Sequence, residues 1–334
     1  MSDVALFPLR IGVSACLIGR EVRYDGGHKL DRFLADALGW CVEWIPVCPE
    51  VEIGLGVPRP PIRLERAKGE VAGGADVTVL VSETGEDLTP AMLEYAERRV
   101  GELAGEVDGF VLKQNSPSCG LEGVRIWEDG REDGWQDSWQ DGEAYALGRG
   151  AFANVLVGRC PLLPVEDEGR LGDAGRRESF LVRIVAYRRW RIMRRRGLDA
   201  PALRTFHERH ALLLSSRSEE RTQALGELVR KAREIPVPAE RYLEGFTRVL
   251  AMRPTRQGHI RVLRRLAGRL AESLTAEERA GVERAIDEYR HGLQPLLAPL
   301  SLVRRHVRRL GLSDLEKQVY LAPDPRELRL LGYA

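Results

Sequence analysis

Short apolar runs separated by polar turns mark the first half of the chain. Five runs of six or seven residues have the length and composition of buried strands, and they cover 10–16, 42–48, 77–82, 108–113 and 154–160. Two stretches with helical spacing, 29–39 and 90–105, fall between them, and Thr89 is the predicted N-cap of the second, with Pro90 as its first residue. This alternation predicts an α/β domain with a mostly parallel, Rossmann-like sheet, in which ligands bind at the carboxyl ends of the strands.

The apolar positions recur with helical spacing from about residue 176 onward. Proline residues punctuate this half, and the predicted helices are 178–196, 202–217, 219–233, 239–251, 257–273 and 276–291. The connection around 161–173 is rich in proline, glycine and acidic residues. We therefore predict an α/β domain over 1–165, a linker over 166–176 and an all-α domain over 177–334.

The composition of the chain limits the classes of protein to which it can belong. The chain has 334 residues and is 43% hydrophobic, enough for two domains with cores of their own. It contains no apolar run near the roughly 18 residues that a membrane helix needs, and its first residues lack the pattern of a signal peptide. A cytoplasmic protein without a membrane partner is expected. Because no phosphate-binding glycine motif is present, no nucleotide cofactor is expected either.

Charge is distributed unevenly along the chain. Residues 1–165 hold 16 Lys and Arg against 27 Asp and Glu, whereas residues 166–334 hold 35 against 23. The basic half is interpreted as binding a polyanion, with two unrelated solvated surfaces as the alternative. The acidic, glycine-rich stretch 128–143 is predicted to be an exposed loop.

Three of the five cysteines share a local pattern. Cys16, Cys48 and Cys119 each follow an apolar run and enter a polar turn. Since parallel strands end at one edge of a sheet, their thiols are expected there, where they would suit a soft metal or an iron–sulfur cluster. No CxxC pair occurs, so separate core or loop thiols remain an alternative. Cys41 is interpreted as a core residue and Cys160 as structural.

Polar side chains near these thiols are candidates for acid–base chemistry and charge support. The candidates are Arg20, Arg23, Tyr24, Asp25, Glu50, Arg59, Lys113, Ser116 and Ser118. Each one alone is more often a surface or capping residue. In the second half, His207 and His210 are interpreted as packed or hydrogen-bonded rather than metal-ligating. His259 is interpreted as either an RNA contact or a helix-capping residue.

Three stretches of the first half carry a resemblance to a known family. They are SACLIGREVRYDG at 14–26, PVCPEVEIGLGVPRPPIRLE at 46–65 and VLKQNSPSCG at 111–120. They closely resemble the TudS thiouracil desulfidase family. The helical half resembles the YbgA-like domain that is fused to a TudS-type domain in the tRNA-acting RudS branch, through 183–190, 206–214, 254–268, 288–300 and 320–330.

The resemblance implies a cofactor and a reaction. It implies a [4Fe-4S] cluster held by Cys16, Cys48 and Cys119, with one iron left open to substrate, and catalytic roles for Glu50 and Ser116. The implied activity is the hydrolytic, non-redox removal of sulfur from 4-thiouridine in tRNA, giving uridine and sulfide. The stretch 128–143 is longer than the family pattern requires.

Arginine clusters of the basic half are the predicted tRNA contacts. The assigned residues are Arg188, Arg189, Arg191, Arg194, Arg195, Arg196, Arg261, Arg264 and Arg265. Tyr187 and Trp190 could stack on bases, although core packing is favoured for them. Two alternatives remain open: a desulfidase of free thiouracil or thiouridine nucleotides, and a non-catalytic RNA-binding protein with a zinc ion on the three cysteines.

Overall fold

The computed structural model describes residues 5–66, 78–127, 146–231, 237–324, 326–327 and 329. The chain divides into two compact units, Met1–Phe180 and Leu181–Ala334. The first is α/β and the second is helical over its described residues, so the predicted fold class is confirmed. The predicted loop 128–143 lies outside the described residues. Within the described part of the chain, no helix is long and apolar enough to cross a membrane.

The first unit contains two sheets and four α-helices within its described residues. Its strands are β1 (Leu9–Ser14), β2 (Val42–Val47), β3 (Ile62–Arg66), β4 (Thr78–Ser82), β5 (Gly109–Leu112), β6 (Val124–Trp127), β7 (Ala146–Gly148) and β8 (Val165–Asp167). Its helices are α1 (Pro49–Glu52), α2 (Thr89–Leu103), α3 (Ala151–Arg159) and α4 (Ala174–Arg196), and α4 continues into the second unit.

The first sheet is entirely parallel, in the order β2-β1-β5-β8. Strand β1 is buried along nearly its whole length, as expected for a strand covered on both faces. Gly12 pairs with Phe110 of β5, and a Cβ on Gly12 would lie 2.3 Å from the Phe110 ring. Only glycine therefore lets that ring pack across β1, and the ring in turn contacts Phe152 of α3, with centroids 6.0 Å apart.

The second sheet is mixed, in the order β4-β3-β6-β7. Strand β3 runs antiparallel to β4 and parallel to β6, and β6 runs antiparallel to β7. The sequence pattern predicted only β4 among these strands. Strand β3 carries a buried ion pair between Arg63 and Glu65, with 2.5 Å between Nη2 and Oε1. Because Arg63 and Glu65 are charged, strand β3 lacks the continuous apolar run by which a buried strand is recognised in a sequence.

Two predicted elements of the first unit are wrong. The run 154–160 is not a strand but part of helix α3. Its buried residues, Phe152, Ala153 and Leu156, have helical spacing that begins before the apolar run. Thr89 is not an N-cap, because Leu88 holds that position and the Thr89 hydroxyl accepts the Leu80 N–H at 2.7 Å.

Two other predicted segments differ from the structure in extent. The predicted helix over 29–39 is present only as a short π-helix, Phe33–Leu38. The segment predicted as a linker, 166–176, holds the end of β8, a 3-10 helix (Arg170–Gly172) and the start of α4. The domain boundaries at 165 and 177 stay a prediction.

The second unit is helical and follows the predicted helices closely. After α4 come α5 (Ala200–Ser215), α6 (Glu219–Lys231), α7 (Val237–Ala251), α8 (Arg256–Leu270), α9 (Ala276–Arg290), α10 (Leu297–Arg309) and α11 (Ser313–Glu316). Side-chain caps begin three of these helices: Asp199 on α5, Thr255 on α8 and the Thr275–Glu278 capping box on α9. Helices α10 and α11 were not predicted.

Aromatic packing holds α4, α5 and α7 together. Trp190 is buried and stacks on Tyr242 with ring centroids 5.8 Å apart, which confirms its predicted core role. His207 shares a hydrogen bond with the Tyr242 hydroxyl at 3.2 Å, and the His210 Nδ1 lies 2.7 Å from the Phe206 carbonyl. The predicted packing and hydrogen bonding of these histidines is confirmed.

The helix-capping role predicted for His259 is wrong, and its alternative role as an RNA contact stays a prediction. Thr255, not His259, caps α8 by accepting the Gly258 N–H. The His259 ring is buried, stacks on Tyr320 and shares a 2.7 Å hydrogen bond with its hydroxyl.

Candidate active site

The order of the parallel sheet brings the three predicted thiols to one cavity. Strands β2, β1 and β5 are neighbours, and the segments after their carboxyl ends carry Cys48, Cys16 and Cys119 respectively. Together with Glu50 and Ser116, these cysteines line a cavity of about 300 Å³. All five residues that the resemblance assigned to the cofactor and to catalysis therefore face the same space.

Short helical segments hold the first two cysteines. Cys16 lies in a 3-10 helix, Ala15–Ile18, that ends at Gly19 with a φ of 88°, and the Cys16 carbonyl accepts the Lys29 N–H at 2.9 Å. Cys48 precedes α1, and its N–H donates to the Glu52 carboxylate at 3.0 Å. These backbone bonds fix where each thiol enters the cavity.

The third cysteine lies in a turn organised by Ser116. The Ser116 hydroxyl oxygen accepts the N–H groups of Ser118 at 3.3 Å and of Cys119 at 3.1 Å. The first residues of α3 dock on this turn, because the Ala153 N–H donates to the Ser118 carbonyl at 3.2 Å. Within the described residues the hydroxyl hydrogen of Ser116 has no acceptor, so it is available to a molecule in the cavity.

Burial controls the protonation of the three thiols. It raises the pKa of Cys16 to about 11, with the nearby Cys48 as the next cause, and it raises the pKa of Cys48 as well. The pKa of Cys119 is raised by burial and, to a lesser extent, by the charges of Glu50 and the other two thiols. The metal-free thiols are therefore protonated at neutral pH, and a metal must displace their protons.

The donor set of the cavity consists of three thiols, which suit a soft metal or an iron–sulfur cluster. The described residues contain no group of three or more His, Cys, Asp or Glu that could hold a single metal ion. The three thiols nevertheless line one cavity. Cysteine thiolates are the ligands that hold iron–sulfur clusters, so the chemistry of these donors fits such a cluster.

The Glu50 carboxylate accepts hydrogen bonds on both of its oxygens. Its Oε2 accepts hydrogen bonds from Arg59 Nε at 3.0 Å and Nη2 at 2.6 Å. Its Oε1 accepts the Ser118 hydroxyl at 2.9 Å. Arg59 and Ser118 were only candidates in the sequence, and no local pattern links either of them to Glu50.

Other predicted cations near the cavity have their own partners. Lys113 forms an ion pair with Glu168, and Arg23 forms one with Asp25 at 3.3 Å. The Arg23 guanidinium also lies over the ring of Tyr24, 5.3 Å from its centroid, and Tyr24 is 40% exposed. An aromatic ring and cationic groups thus line the cavity beside the thiols.

The remaining two cysteines lie apart from this cavity. Cys41 is buried, and its thiol donates to the Leu38 carbonyl at 3.3 Å, which confirms its structural interpretation. Cys160 is half-buried and follows α3 instead of a strand.

The nine arginines assigned to RNA fall into two groups in the helical unit. Arg188 and Arg191 are buried, and Arg189 forms an ion pair with Glu327. The exposed members are Arg194, Arg195, Arg196, Arg261, Arg264 and Arg265. Within this exposed group, Arg264 pairs with Asp287 at 3.8 Å and Arg265 pairs with Glu219 at 3.0 Å.

Comparison with known proteins agrees with the geometry. A family model described as 2-thiouracil desulfurase matches residues 11–168, and a model of a protein family of unknown function, DUF1722, matches residues 212–325. The chain is 36% identical over 114 residues to the uncharacterized protein YbbK of Bacillus subtilis (strain 168), covering 32% of this chain and 71% of YbbK.

Two further relatives match one half of the chain each. The chain is 28% identical over 156 residues to the uncharacterized protein YbgA of Escherichia coli (strain K12), covering 46% of this chain and 92% of YbgA. A solved structure of the [4Fe-4S]-dependent thiouracil desulfidase TudS shows 34% identity over 49% of this chain and 93% of its own, with a TM-score of 0.35.

The cavity residues all lie within the matched range 11–168, and the YbgA-like match falls on the helical unit. The chain therefore belongs to the TudS-type 2-thiouracil desulfurase family, enzymes that remove sulfur, and carries a YbgA-like helical region after that domain.

Proposed function

We propose that this protein removes the sulfur of 4-thiouridine in tRNA, giving uridine and sulfide by hydrolysis without net oxidation or reduction. The observation that carries this proposal is the convergence of Cys16, Cys48, Cys119, Glu50 and Ser116 on one cavity at the ends of parallel strands. Three soft donors, a carboxylate and a hydroxyl are the groups that such a reaction requires.

The cofactor that fits the donor set is a [4Fe-4S] cluster held by the thiolates of Cys16, Cys48 and Cys119. Three protein ligands leave one iron open. When bound, the cluster supplies a soft Lewis acid that polarises a thiocarbonyl.

The chain's own side chains supply the proton chemistry. Glu50 lies in the cavity as a carboxylate paired with Arg59, and it acts as the base that takes a proton from the attacking water. Ser116 keeps a hydroxyl hydrogen that can be donated to the pyrimidine ring, because its oxygen is already engaged by two backbone N–H groups. Both residues therefore orient substrate and move protons.

The helical unit gives a reason to favour tRNA as the substrate. Its exposed arginines can neutralise phosphates, which makes affinity dependent on salt. Tyr24 and Lys29, which line the cavity, are both exposed and suit an unstacked base and a neighbouring phosphate. The target base must leave its stack, at a cost of a few kcal/mol. We place this activity in the cytoplasm, with tRNA as the partner and no nucleotide cofactor.

A second candidate substrate is free thiouracil or a thiouridine nucleotide. The description of the matched family names 2-thiouracil, and the family match ends at residue 168. The same cavity chemistry would act on either substrate. The helical unit distinguishes them, because a free base has no phosphate and a single nucleotide has no phosphate backbone for an extended row of arginines to bind.

The test is anaerobic incubation of the reconstituted protein with tRNA that bears 4-thiouridine. Absorbance at the thiouridine band and nucleoside analysis follow the conversion to uridine, with Cys119→Ala as the inactive control. Activity on free thiouracil alone would move the function to the second candidate. Zinc without iron or acid-labile sulfide, after anaerobic purification, would favour a non-catalytic RNA-binding protein.

A further inference from the structure

Both oxygens of the Glu50 carboxylate are fixed by side chains from other parts of the chain. Arg59 donates two N–H groups to Oε2, and Ser118 donates its hydroxyl to Oε1. Ser118 lies 68 residues away in sequence, in the turn that carries Cys119. The carboxylate is therefore held from two sides of the cavity.

The two donors are themselves immobilised. Ser118 is fully buried, and the Arg59 side chain is only 5% exposed. The Arg59 guanidinium also donates to the Val22 carbonyl at 3.0 Å and to the Gly56 carbonyl at 3.2 Å. Because their own positions are fixed by other contacts, these donors can define the orientation of Glu50 before substrate binds.

The hydrogen bonds leave the two carboxylate oxygens unequal. A carboxylate has about four acceptor positions, two on each oxygen. Arg59 occupies both positions on Oε2, whereas Ser118 occupies one position on Oε1. Among the residues that the structure describes, no other side chain donates to this carboxylate, so one lone pair remains, and it belongs to Oε1.

We propose, on the basis of the catalytic role proposed above for Glu50, that Arg59 and Ser118 are positioning residues that make Oε1 the proton-accepting oxygen. Water loses one proton to Oε1 as its oxygen bonds to the thiocarbonyl carbon. When the C–S bond breaks, its electron pair leaves with sulfur. The proton from Oε1 and the second proton of the water leave with the sulfide, so that C=S and H2O become C=O and H2S without an oxidant or reductant.

The conservative variants Ser118→Ala and Arg59→Lys remove these contacts without reversing a charge. Two matched controls have comparable local structure away from the cavity. Ser216→Ala removes another fully buried hydroxyl, which donates to the Leu213 carbonyl at 2.7 Å. Arg63→Lys alters another buried arginine–carboxylate pair.

The measurement is the single-turnover rate constant of the anaerobically reconstituted protein on whichever thiopyrimidine substrate the unsubstituted protein converts. Loss of either contact is expected to lower it about 10- to 100-fold, because small misplacements of a catalytic group have effects of this size. KM and the iron and sulfide content are expected to stay unchanged, and the unfolding midpoint of the metal-free protein is expected to fall no further than in the matched control. The two controls are expected to keep the full rate.

A double-mutant cycle separates positioning from a general structural effect. In a Glu50→Gln background, Ser118→Ala is expected to lower the rate less than twofold, because the group it positions is already absent. A crystal structure of metal-free Ser118→Ala is expected to show the Glu50 carboxylate rotated from its position. If Ser118→Ala does not fold, Arg59→Lys and its cycle with Glu50→Gln carry the test.

The outcomes distinguish this inference from the function on which it rests. Full rates for Ser118→Ala and Arg59→Lys, or equal losses with and without Glu50, would overturn the positioning role alone. A Glu50→Gln protein with the full rate would instead overturn the catalytic role proposed for Glu50. If only free thiouracil is converted, the tRNA proposal fails while the positioning test proceeds on that substrate.

Discussion

Gly150 lies so close to the turn that carries Cys119 that a single methyl group added at Gly150 is predicted to disturb the site. A Cβ on Gly150 would lie 2.6 Å from the Ser118 carbonyl carbon and oxygen and 2.8 Å from the Gly120 nitrogen. The backbone of Gly150, with φ of −59° and ψ of 149°, is one that alanine adopts freely. The effect of Gly150→Ala therefore comes from the contact and not from backbone strain.

The magnitude follows from the nature of the contacted atoms. All three are backbone atoms of the turn, so no flexible side chain can move aside. Overpacking of this kind costs about 1–3 kcal/mol, and replacing an N-cap glycine by alanine adds a further cost of up to about 1 kcal/mol. We expect Gly150→Ala to lower the free energy of unfolding by about 1–4 kcal/mol and to reduce iron binding, since Cys119 must shift with the turn.

Urea denaturation of the metal-free protein and iron analysis after anaerobic reconstitution measure the two effects. The control is Gly158→Ala near the end of the same helix, where an added Cβ has no atom within 4 Å. That variant is expected to gain up to about 1 kcal/mol from helix propensity and to bind iron normally. Equal stability and equal iron content in the two variants would refute the reasoning.

Three further outcomes are expected. Because burial raises the pKa of Cys16 from 9.0 to about 11, the buried thiol contributes about 2–3 kcal/mol to the stability of the metal-free fold below pH 9. This contribution is lost as the pH rises through 11. In urea denaturation over this pH range, Cys16→Ala should therefore lose less stability than the unsubstituted protein. Replacing Arg261, Arg264 and Arg265 by Gln should weaken tRNA binding and reduce the slope of log affinity against log salt by about 1 per lost phosphate contact; an unchanged slope in a filter-binding titration would remove these residues from the interface. Lys29→Glu should raise KM for tRNA and leave KM for free thiouracil unchanged; equal effects on both would argue against a phosphate contact.

The sequence predicted the elements that place the thiols. Strands β1, β2 and β5 were identified from their apolar runs, and the cysteines that follow them line one cavity as expected from a parallel sheet. Continuous apolar runs are a strong signal for strands buried on both faces. The helices of the second unit were predicted for the related reason that their apolar positions repeat with helical spacing.

Two misjudged segments show where the pattern fails. A short apolar run such as 154–160 has no period of its own, so a buried helix and a buried strand look alike until length is known. Strand β3 was missed because the charged residues Arg63 and Glu65 interrupt its apolar run, whereas in the structure they neutralise each other in a buried pair. In both segments, contacts with neighbouring elements and not local propensity decided whether the chain forms a helix or a strand.

The sequence by itself determined which soft donors the chain carries, the strands they follow and the family to which the motifs belong. Only the tertiary structure decided which groups hold Glu50. Arg59 is nine residues away and Ser118 is 68 residues away, and neither distance in sequence indicates a contact of 2.6 or 2.9 Å. Hydrogen bonds act over such short distances that the register of the sheet and the docking of the Cys119 turn on α3 select the partners of the carboxylate.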